Sequence, residues 1–183
     1  MENHTNTLPV GSRLKGHAML YEIIEVLGQG GFGITYKAEL LIEGSLVMTR
    51  SGAVFAIKEF FISDINLRDG ETVTGTGSRK FTDTLHKFER ESKLLSTLSH
   101  PGICHVQDAF RANGTAYYVM DFYPGGSLAA LISRTRGGAL SEMQTLDYIH
   151  EIGSALAYLH RQGMAHLDLK PQNIMLKADG PRC

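Results

Sequence analysis

The sequence predicts an α+β protein with two lobes, an antiparallel-sheet lobe that carries one helix and a second lobe that begins with helices. Two observations lead to this fold class. Before Pro124-Gly125-Gly126, short stretches rich in β-branched and aromatic residues are interrupted by only one stretch of helical periodicity. After these residues, apolar positions recur at intervals of three and four, which is typical of amphipathic helices. The glycines between the two patterns indicate a hinge-like break.

The sheet lobe is predicted to contain five strands. The first three form a meander, and Ala112-Asn113-Gly114 supplies a tight turn between the last two. The polar stretch of residues 63–80, rich in glycine, threonine and serine, is predicted to be a mobile loop. The predicted strands are Tyr21–Leu27, Ile34–Leu40, Ala53–Phe60, Ile103–Arg111 and Thr115–Phe122.

Three helices are predicted from apolar periodicity and end signals. The first covers Phe81–Leu98, and its apolar residues fall on one face. The second, Ser127–Arg134, is short, and the third, Ser141–Arg161, opens with Ser141 at capping-box spacing from a glutamine. The apolar stripe of the third helix consists of Met143, Leu146, Ile149, Ile152, Leu156 and Leu159.

Composition limits the classes of function. The chain has 183 residues, of which 43% are apolar and 20% charged, so it can form one domain or two small lobes. A formal net charge of −1 gives no electrostatic basis for binding nucleic acid or an anionic membrane. No stretch reaches the roughly 18 apolar residues of a membrane segment. The two cysteines, Cys104 and Cys183, form no disulfide framework, which favours a reducing, cytoplasmic location.

Three polar side chains near the end of the sequence carry the strongest chemical signal. The segment His166-Leu167-Asp168-Leu169-Lys170-Pro171-Gln172-Asn173 places a carboxylate, an ammonium and an amide at D-x-K-x-x-N spacing. Such a set suits phosphoryl transfer. Asp168 can accept the proton of a hydroxyl nucleophile, Lys170 can neutralise charge on the transferring phosphoryl group, and Asn173 can ligate magnesium.

A glycine-rich motif lies early in the sheet lobe. Gly28-Gln29-Gly30-Gly31-Phe32-Gly33 fits a dinucleotide-binding turn, a loop that covers nucleotide phosphates, or a plain glycine hairpin. A dinucleotide-binding turn must open a helix. Here Ile34-Thr35-Tyr36 follows the motif, and these residues favour strands. The sequence therefore predicts a strand–loop–strand hairpin and argues against an oxidoreductase.

Together these motifs resemble those of protein kinases, in the order in which that family carries them. Ala56-Ile57-Lys58 resembles the V-A-I-K strand, and the segment of residues 118–126 resembles the strand and hinge that bind adenine. The segment around Asp168 resembles the catalytic loop, and Lys170-Pro171 is similar to the serine/threonine branch. Lys58-Glu59-Phe60-Phe61 with Leu67-Arg68-Asp69 is similar to bacterial members of the family.

The resemblance implies a protein-kinase-like two-lobe fold. It divides the chain into an N-terminal tail over residues 1–20, an ATP-binding N-lobe over 21–123, and a hinge with a partial C-lobe over 124–183. The polar composition of residues 1–17 fits either a tail or a sheet-edge segment. It also implies transfer of the γ-phosphoryl group of ATP, with Mg²⁺, to a serine or threonine hydroxyl of a protein substrate. In that reaction Asp168 and Lys170 would be catalytic, and Asn173 would be the metal ligand.

The resemblance also assigns residues to the ATP site. Lys58 would hold the α- and β-phosphates, and Glu91 on the first helix would align it, whereas Glu89 is expected on a solvated helix face. Met120 would guard the back of the adenine pocket, and the backbone of the next two residues would bond the adenine edge. The implied ATP-binding residues are Leu27, Gly28, Gln29, Gly30, Gly31, Phe32, Gly33, Thr35, Ala56, Lys58, Glu91, Met120, Asp121 and Phe122.

Two departures from the family pattern lead to an alternative hypothesis. Leu167 stands where the family usually carries an Arg that pairs with an activation-loop phosphate, so activity independent of that phosphate is expected. No Asp-Phe-Gly follows the catalytic loop, and the family uses that Asp to hold magnesium. The alternative is therefore a catalytically inactive nucleotide-binding or interaction fragment. In such a fragment the stripe of the third helix is expected to form an exposed apolar patch.

Overall fold

A computed structural model describes residues 6–44 and 47–177 of the chain. The first five residues of the predicted tail, and Cys183, lie outside these ranges. The chain divides into two compact units. The first comprises Met1–Leu98 and Cys104–Phe122, and the second comprises Ser99–Ile103 and Tyr123–Cys183.

The first unit is built on antiparallel strands. These are β1 (Arg13–Lys15), β2 (Leu20–Gly30), β3 (Gly33–Glu43), β4 (Met48–Phe60), β5 (Leu67–Asp69), β6 (Thr72–Thr74), β7 (Val106–Ala112) and β8 (Thr115–Asp121). Six of them form one sheet in the order β1-β2-β3-β4-β8-β7. All five predicted strands are present, although the strand predicted from Ile103 begins at Val106. At the edge, β1 pairs with β2, so Arg13–Lys15 form an edge strand within the segment expected to be an N-terminal tail.

Both faces of this sheet carry apolar clusters, because consecutive residues of β4 serve opposite faces. Ile57 belongs to one cluster, which also contains Leu8 from the N-terminal segment and Val73 from β6. Phe60 belongs to the other cluster, which contains side chains of helix α1 (Arg79–Thr97). The neighbours Lys58 and Glu59 are therefore expected to lie on different faces as well.

The stretch of residues 63–80, predicted to be a mobile loop, contains a β-hairpin instead. β5 and β6 pair in a small two-stranded sheet, with Gly70 in the turn at φ +58°. Val73 is buried in the core, and the Asn66 side chain donates a hydrogen bond to the Thr74 carbonyl oxygen at 3.0 Å. Polar composition concealed this hairpin, although Asp69-Gly70 is a recognised hairpin signal.

The three predicted helices are confirmed. The first, α1, begins at Arg79 rather than Phe81, while α2 (Leu128–Arg134) and α3 (Glu142–Arg161) match their predicted ranges closely. Each begins after a serine whose hydroxyl accepts a backbone N–H bond of the first turn, which satisfies an otherwise unpaired donor. The capping residues are Ser78, Ser127 and Ser141, the last in a capping box with Gln144. No helix of the described ranges is both long and apolar enough to cross a membrane.

The apolar stripe of α3 is exposed only in its first half. Met143, Leu146 and Ile149 are 71%, 58% and 59% exposed. Leu159 is buried, and Ile152 packs against the small apolar core of the second unit. The predicted exposed patch is therefore confirmed for the first three positions and wrong for these later ones.

Candidate active site

The glycine motif lies at the tip of the hairpin formed by β2 and β3. Gly30 pairs with Gly33, which leaves Gly31 and Phe32 as the turn. Ser63, which the sequence analysis missed, holds this tip. Its N–H donates to the Gly31 carbonyl oxygen at 3.2 Å and its hydroxyl to the Gly30 carbonyl oxygen at 3.1 Å. A strand and not a helix follows the glycines, so the predicted strand–loop–strand is confirmed and a dinucleotide-binding turn is excluded.

Lys58 lies on β4 beside the end of the glycine hairpin. Thr35 on β3 pairs with Lys58, and Gly33 pairs with Phe60. A Cβ atom at Gly33 would lie 2.9 Å from the carbonyl oxygen of Glu59 and 3.5 Å from Cε of Lys58. Only glycine therefore allows β3 to approach β4 this closely next to Lys58.

Substitution of Gly33 by Ala is expected to destabilise the first unit by about 1–3 kcal/mol, because the added methyl group overpacks against the Glu59 carbonyl. Gly31→Ala is the matched control, since a Cβ atom there meets nothing within 4 Å. Thermal unfolding followed by circular dichroism measures both variants. Only Gly33→Ala should lower the midpoint, and equal midpoints would contradict the close approach of the two strands.

Lys58 and Glu91 line a shared groove of about 490 Å³ between β4 and α1. They form no ion pair in the part of the chain that the structure describes. Nζ of Lys58 instead lies 5.6 Å from the ring centroid of Tyr118. Burial raises the pKa of Tyr118, and the nearby charge of Glu91 raises it further. The structure thus brings both predicted residues to one groove, and each of them interacts with Tyr118, while their direct pairing stays a prediction.

Two further lysines of this groove were missed by the sequence analysis. Lys80 and Lys87 line it together with Thr84 and Glu91. The spacing of these four residues along α1 places them on one helical face, and this signal was available in the sequence. Counting Lys58, the groove has three ammonium groups against one carboxylate, a balance that suits phosphate groups.

Glu89 does not lie on a solvated helix face as expected. Its carboxylate accepts two hydrogen bonds from the guanidinium of Arg111 on β7. In one of them Nη2 of Arg111 lies 2.8 Å from Oε2 of Glu89. The hydrogen bond from Arg111 lowers the pKa of Glu89. This pair ties α1 to β7, so Glu89 is engaged away from Lys58.

The strand predicted to bind adenine is the end of β8. Ala56 on β4 pairs with Met120, and the Asp121 carboxylate accepts a hydrogen bond from Nε2 of Gln107 at 2.5 Å. The role of the Asp121 and Phe122 backbone stays a prediction. All predicted ATP-site residues belong to the first unit, including Leu27, Gly28 and Gln29 on β2.

Asp168, Lys170 and Asn173 form a hydrogen-bonded cluster in the second unit. Nζ of Lys170 lies 2.9 Å from Oδ2 of Asp168. Nδ2 of Asn173 donates to the same Oδ2 at 2.8 Å and to the Asp168 carbonyl oxygen at 2.9 Å. The bond from Lys170 and then that from Asn173 hold the pKa of Asp168 below its usual range. The side chain is 66% exposed, so an ionised carboxylate is open to a hydroxyl group.

Leu167, the residue before Asp168, has a strained backbone. Leu167 has φ +62°, in the left-handed region that branched side chains rarely adopt. Its side chain is 95% exposed, so packing does not compensate for this conformation within the described structure. Strain of this kind is concentrated at functional sites.

The segment that follows the cluster is anchored by the glycines of the predicted hinge. The N–H of Gly125 donates to the Leu176 carbonyl oxygen at 3.0 Å, and the N–H of Leu176 donates to the Gly126 carbonyl oxygen at 2.8 Å. A Cβ atom at Gly125 would lie 2.6 Å from the Leu176 carbonyl oxygen. Glycine is therefore required for this close contact, which fixes the chain just beyond Asn173.

The donor set of this cluster fits part of a magnesium site. Both hydrogen bonds of Asn173 toward Asp168 use Nδ2, and no described residue donates to Oδ1 of Asn173. An amide oxygen is a hard ligand of the kind that Mg²⁺ prefers. Asn173 therefore fits one ligand position, as the sequence predicted.

A comparison with known protein families gives a match over most of the chain. Residues 21–181 match the family described as Protein kinase domain. The chain belongs to the protein kinase family. The two-lobe α+β fold predicted from the sequence is that of this family. The glycine hairpin, Lys58 and the cluster around Asp168 stand in the order of that family's motifs, and their roles stay predictions.

Known kinases are similar in sequence to this chain over most of its length. It is 31% identical over 160 residues to Serine/threonine-protein kinase Nek1 of Mus musculus, covering 87% of this chain and 11% of that protein. It is 30% identical over 163 residues to Protein kinase PINOID 2 of Oryza sativa subsp. japonica, covering 87% of this chain and 30% of that protein. The chain thus spans less than a third of the length of these curated relatives.

Two solved structures show the same fold. A structure titled PpkA-294 apo form superposes with a TM-score of 0.80 at 30% identity, covering 96% of this chain and 59% of that chain. A structure of Rad53 1-466 in complex with AMP-PNP superposes with a TM-score of 0.64 at 29% identity, covering 88% of this chain and 36% of that chain. The kinase fold of the chain is therefore shown by sequence and structure together.

Proposed function

We propose that the protein is a serine/threonine protein kinase that transfers the γ-phosphoryl group of ATP to a serine or threonine hydroxyl of a protein substrate. The cluster of Asp168, Lys170 and Asn173 carries this proposal. The mouse relative is named a serine/threonine-protein kinase, which supports a serine or threonine hydroxyl as the phosphoryl acceptor. The Rad53 structure is a complex with AMP-PNP, which supports ATP as the phosphoryl donor. Use of ATP and the presence of only two cysteines are consistent with a cytoplasmic location.

Each member of the cluster has a separate task. ATP would supply the phosphoryl group, and magnesium would neutralise negative charge on its phosphates. Asp168 orients the substrate hydroxyl and accepts its proton as the new oxygen–phosphorus bond forms and the bond from the γ-phosphorus to the bridging oxygen breaks, which releases ADP. Lys170 neutralises charge on the transferring phosphoryl group. Asn173 orients Asp168 through Nδ2 and offers Oδ1 to the metal.

The first unit supplies the phosphate-binding groups. Lys58 would hold the α- and β-phosphates, and the nearby ammonium groups of Lys80 and Lys87 would favour the approach of an anion. Glu91 would align Lys58 in the nucleotide-bound state. The glycine hairpin would cover the phosphates, since residues 30, 31 and 33 carry no side chain that would block them.

Substitution of Lys58 by Met is expected to weaken binding of magnesium-ATP about tenfold or more, because a charge-assisted bond to phosphate is lost. Isothermal titration of the 183-residue chain measures the Kd. Lys93→Met, on the same helix as Glu91 but outside the groove, is the control and should leave the Kd unchanged. Equal affinity of the Lys58 variant and the parent would contradict the proposed phosphate site.

A further inference from the structure

Glu59, which follows Lys58 on β4, is a charged residue with an exposed fraction of 0%. Three side chains donate to its carboxylate. Oη of Tyr36 lies 2.7 Å and Nη2 of Arg68 lies 2.5 Å from Oε2, and Oη of Tyr117 lies 2.5 Å from Oε1. Both carboxylate oxygens are therefore bonded, as a buried charge requires.

The donors come from both sides of β4. Tyr36 lies on the neighbouring strand β3 and Tyr117 on the neighbouring strand β8, while Arg68 comes from β5. Burial, and then the charge of Glu59, raise the pKa of both tyrosines, so they donate at neutral pH. Burial alone would lower the pKa of Arg68, but its hydrogen bond to Glu59 and the charge of Glu59 raise it. The centre of the network is thus an ion pair.

The network also holds the N-terminal segment of residues 6–8. Nε of Arg68 donates to the Asn6 carbonyl oxygen at 2.7 Å, and the N–H of Leu8 donates to Oη of Tyr36 at 3.0 Å. Nη1 of Arg68 donates to the Glu71 carbonyl oxygen in the β5–β6 turn at 2.8 Å. Glu59 is therefore the point at which this segment and the hairpin are joined to the strand of Lys58.

Stability alone does not account for such a network. A buried ion pair loses its hydration, and an apolar pair of similar volume is often as stable or more stable. The network does specify the register of β4. Because side chains alternate along a strand, a slip of one residue would turn Lys58 away from the groove and Glu59 toward it. The three donors of Glu59 lie on the other face of the sheet, so they select the register that directs Lys58 to the groove.

We infer that Glu59 is a positioning residue, which acts through Tyr36, Tyr117 and Arg68 to hold Lys58 where it meets the nucleotide phosphates. The inference rests on the proposed function, because that function gives Lys58 a nucleotide to hold. It also makes the segment of residues 6–8 and the β5–β6 hairpin part of the support of the phosphate site.

The test uses the double variant Glu59→Gln/Arg68→Met. It removes both buried charges together, so none is left unpaired and the unit is expected to fold. Titration with magnesium-ATP and with adenosine then separates positioning from general damage. We expect the Kd for ATP to rise about fivefold to tenfold, in the range typical of coupled neighbours, while the Kd for adenosine stays unchanged. Equal weakening of both ligands, or an unchanged Kd for ATP, would overturn the inference.

A second arm adds Lys58→Met to the double variant. If Glu59 acts through Lys58, the charge removal should have no further effect on ATP affinity once Lys58 is absent, whereas fully additive effects would overturn the inference. Failure of the proposed function would look different, because Lys58→Met alone would then leave ATP affinity unchanged. Glu22→Gln/Arg50→Met, which removes an ion pair whose arginine is 56% exposed, is the matched control and should change neither affinity.

Discussion

Replacement of Asp168 by Asn is expected to lower the rate of phosphoryl transfer about 10²–10⁴-fold, the usual contribution of a general base. An amide keeps the size of the carboxyl group, but it cannot accept the proton of the substrate hydroxyl. Incorporation of labelled phosphate from ATP into a generic protein substrate measures the rate for the purified chain. A rate unaffected by this substitution would contradict the assignment of Asp168 as the base.

The control for this experiment is Asp147→Asn on α3, the other aspartate among the described residues of the second unit. It should leave the rate unchanged. The pH profile supplies an independent check. Since Lys170 and Asn173 hold the pKa of Asp168 below its usual range, the base is ionised above that lowered value. On acidification the rate should therefore fall only when the pH drops through the lowered pKa of Asp168. A fall that already begins at a higher pH during acidification would point to another base.

Replacement of Arg68 by Met is expected to lower the free energy of unfolding of the first unit by about 3–5 kcal/mol, because it leaves a buried carboxylate without its cation. The Glu59 and Arg68 side chains are only 0% and 4% exposed, so water cannot take the place of the guanidinium. Unfolding in urea, followed by circular dichroism, measures the change.

Two comparisons test the cause of this loss. Arg50→Met removes the exposed partner of Glu22 and should cost less than about 1 kcal/mol. Addition of Glu59→Gln to Arg68→Met should recover most of the lost stability, because no unpaired charge then remains in the core. A loss no larger than that of Arg50→Met, or the absence of recovery, would contradict the burial of the ion pair.

Much of the fold was predictable because the signals are local. Ser141 caps the helix that begins at the next residue. The alternation along β3 and the strand-forming residues after Gly33 likewise determine the structure of their own segment. The cluster of proposed catalytic groups could be named for a similar reason. Asp168, Lys170 and Asn173 lie close together in the chain, and their contacts in the structure are made within that short segment.

The errors concern contacts between segments that are distant in the chain. The hairpin of β5 and β6 was taken for a mobile loop because most of its residues are polar, and its buried apolar anchor, Val73, packs against strands far away in sequence. Glu89 was expected to be solvated because its partner, Arg111, lies on β7 rather than on the same helix.

The same distinction applies to the candidate site. The candidate phosphate-binding and catalytic groups could be named from residue types, spacing and the family resemblance that these carry, since chemistry of this kind depends on which groups are present. The environment of Glu59 could not be inferred, because strands 3, 5 and 8 supply its three donors and no sequence pattern relates them. Burial of that charge became apparent only when the packed sheet was known, since desolvation depends on every segment that covers a residue.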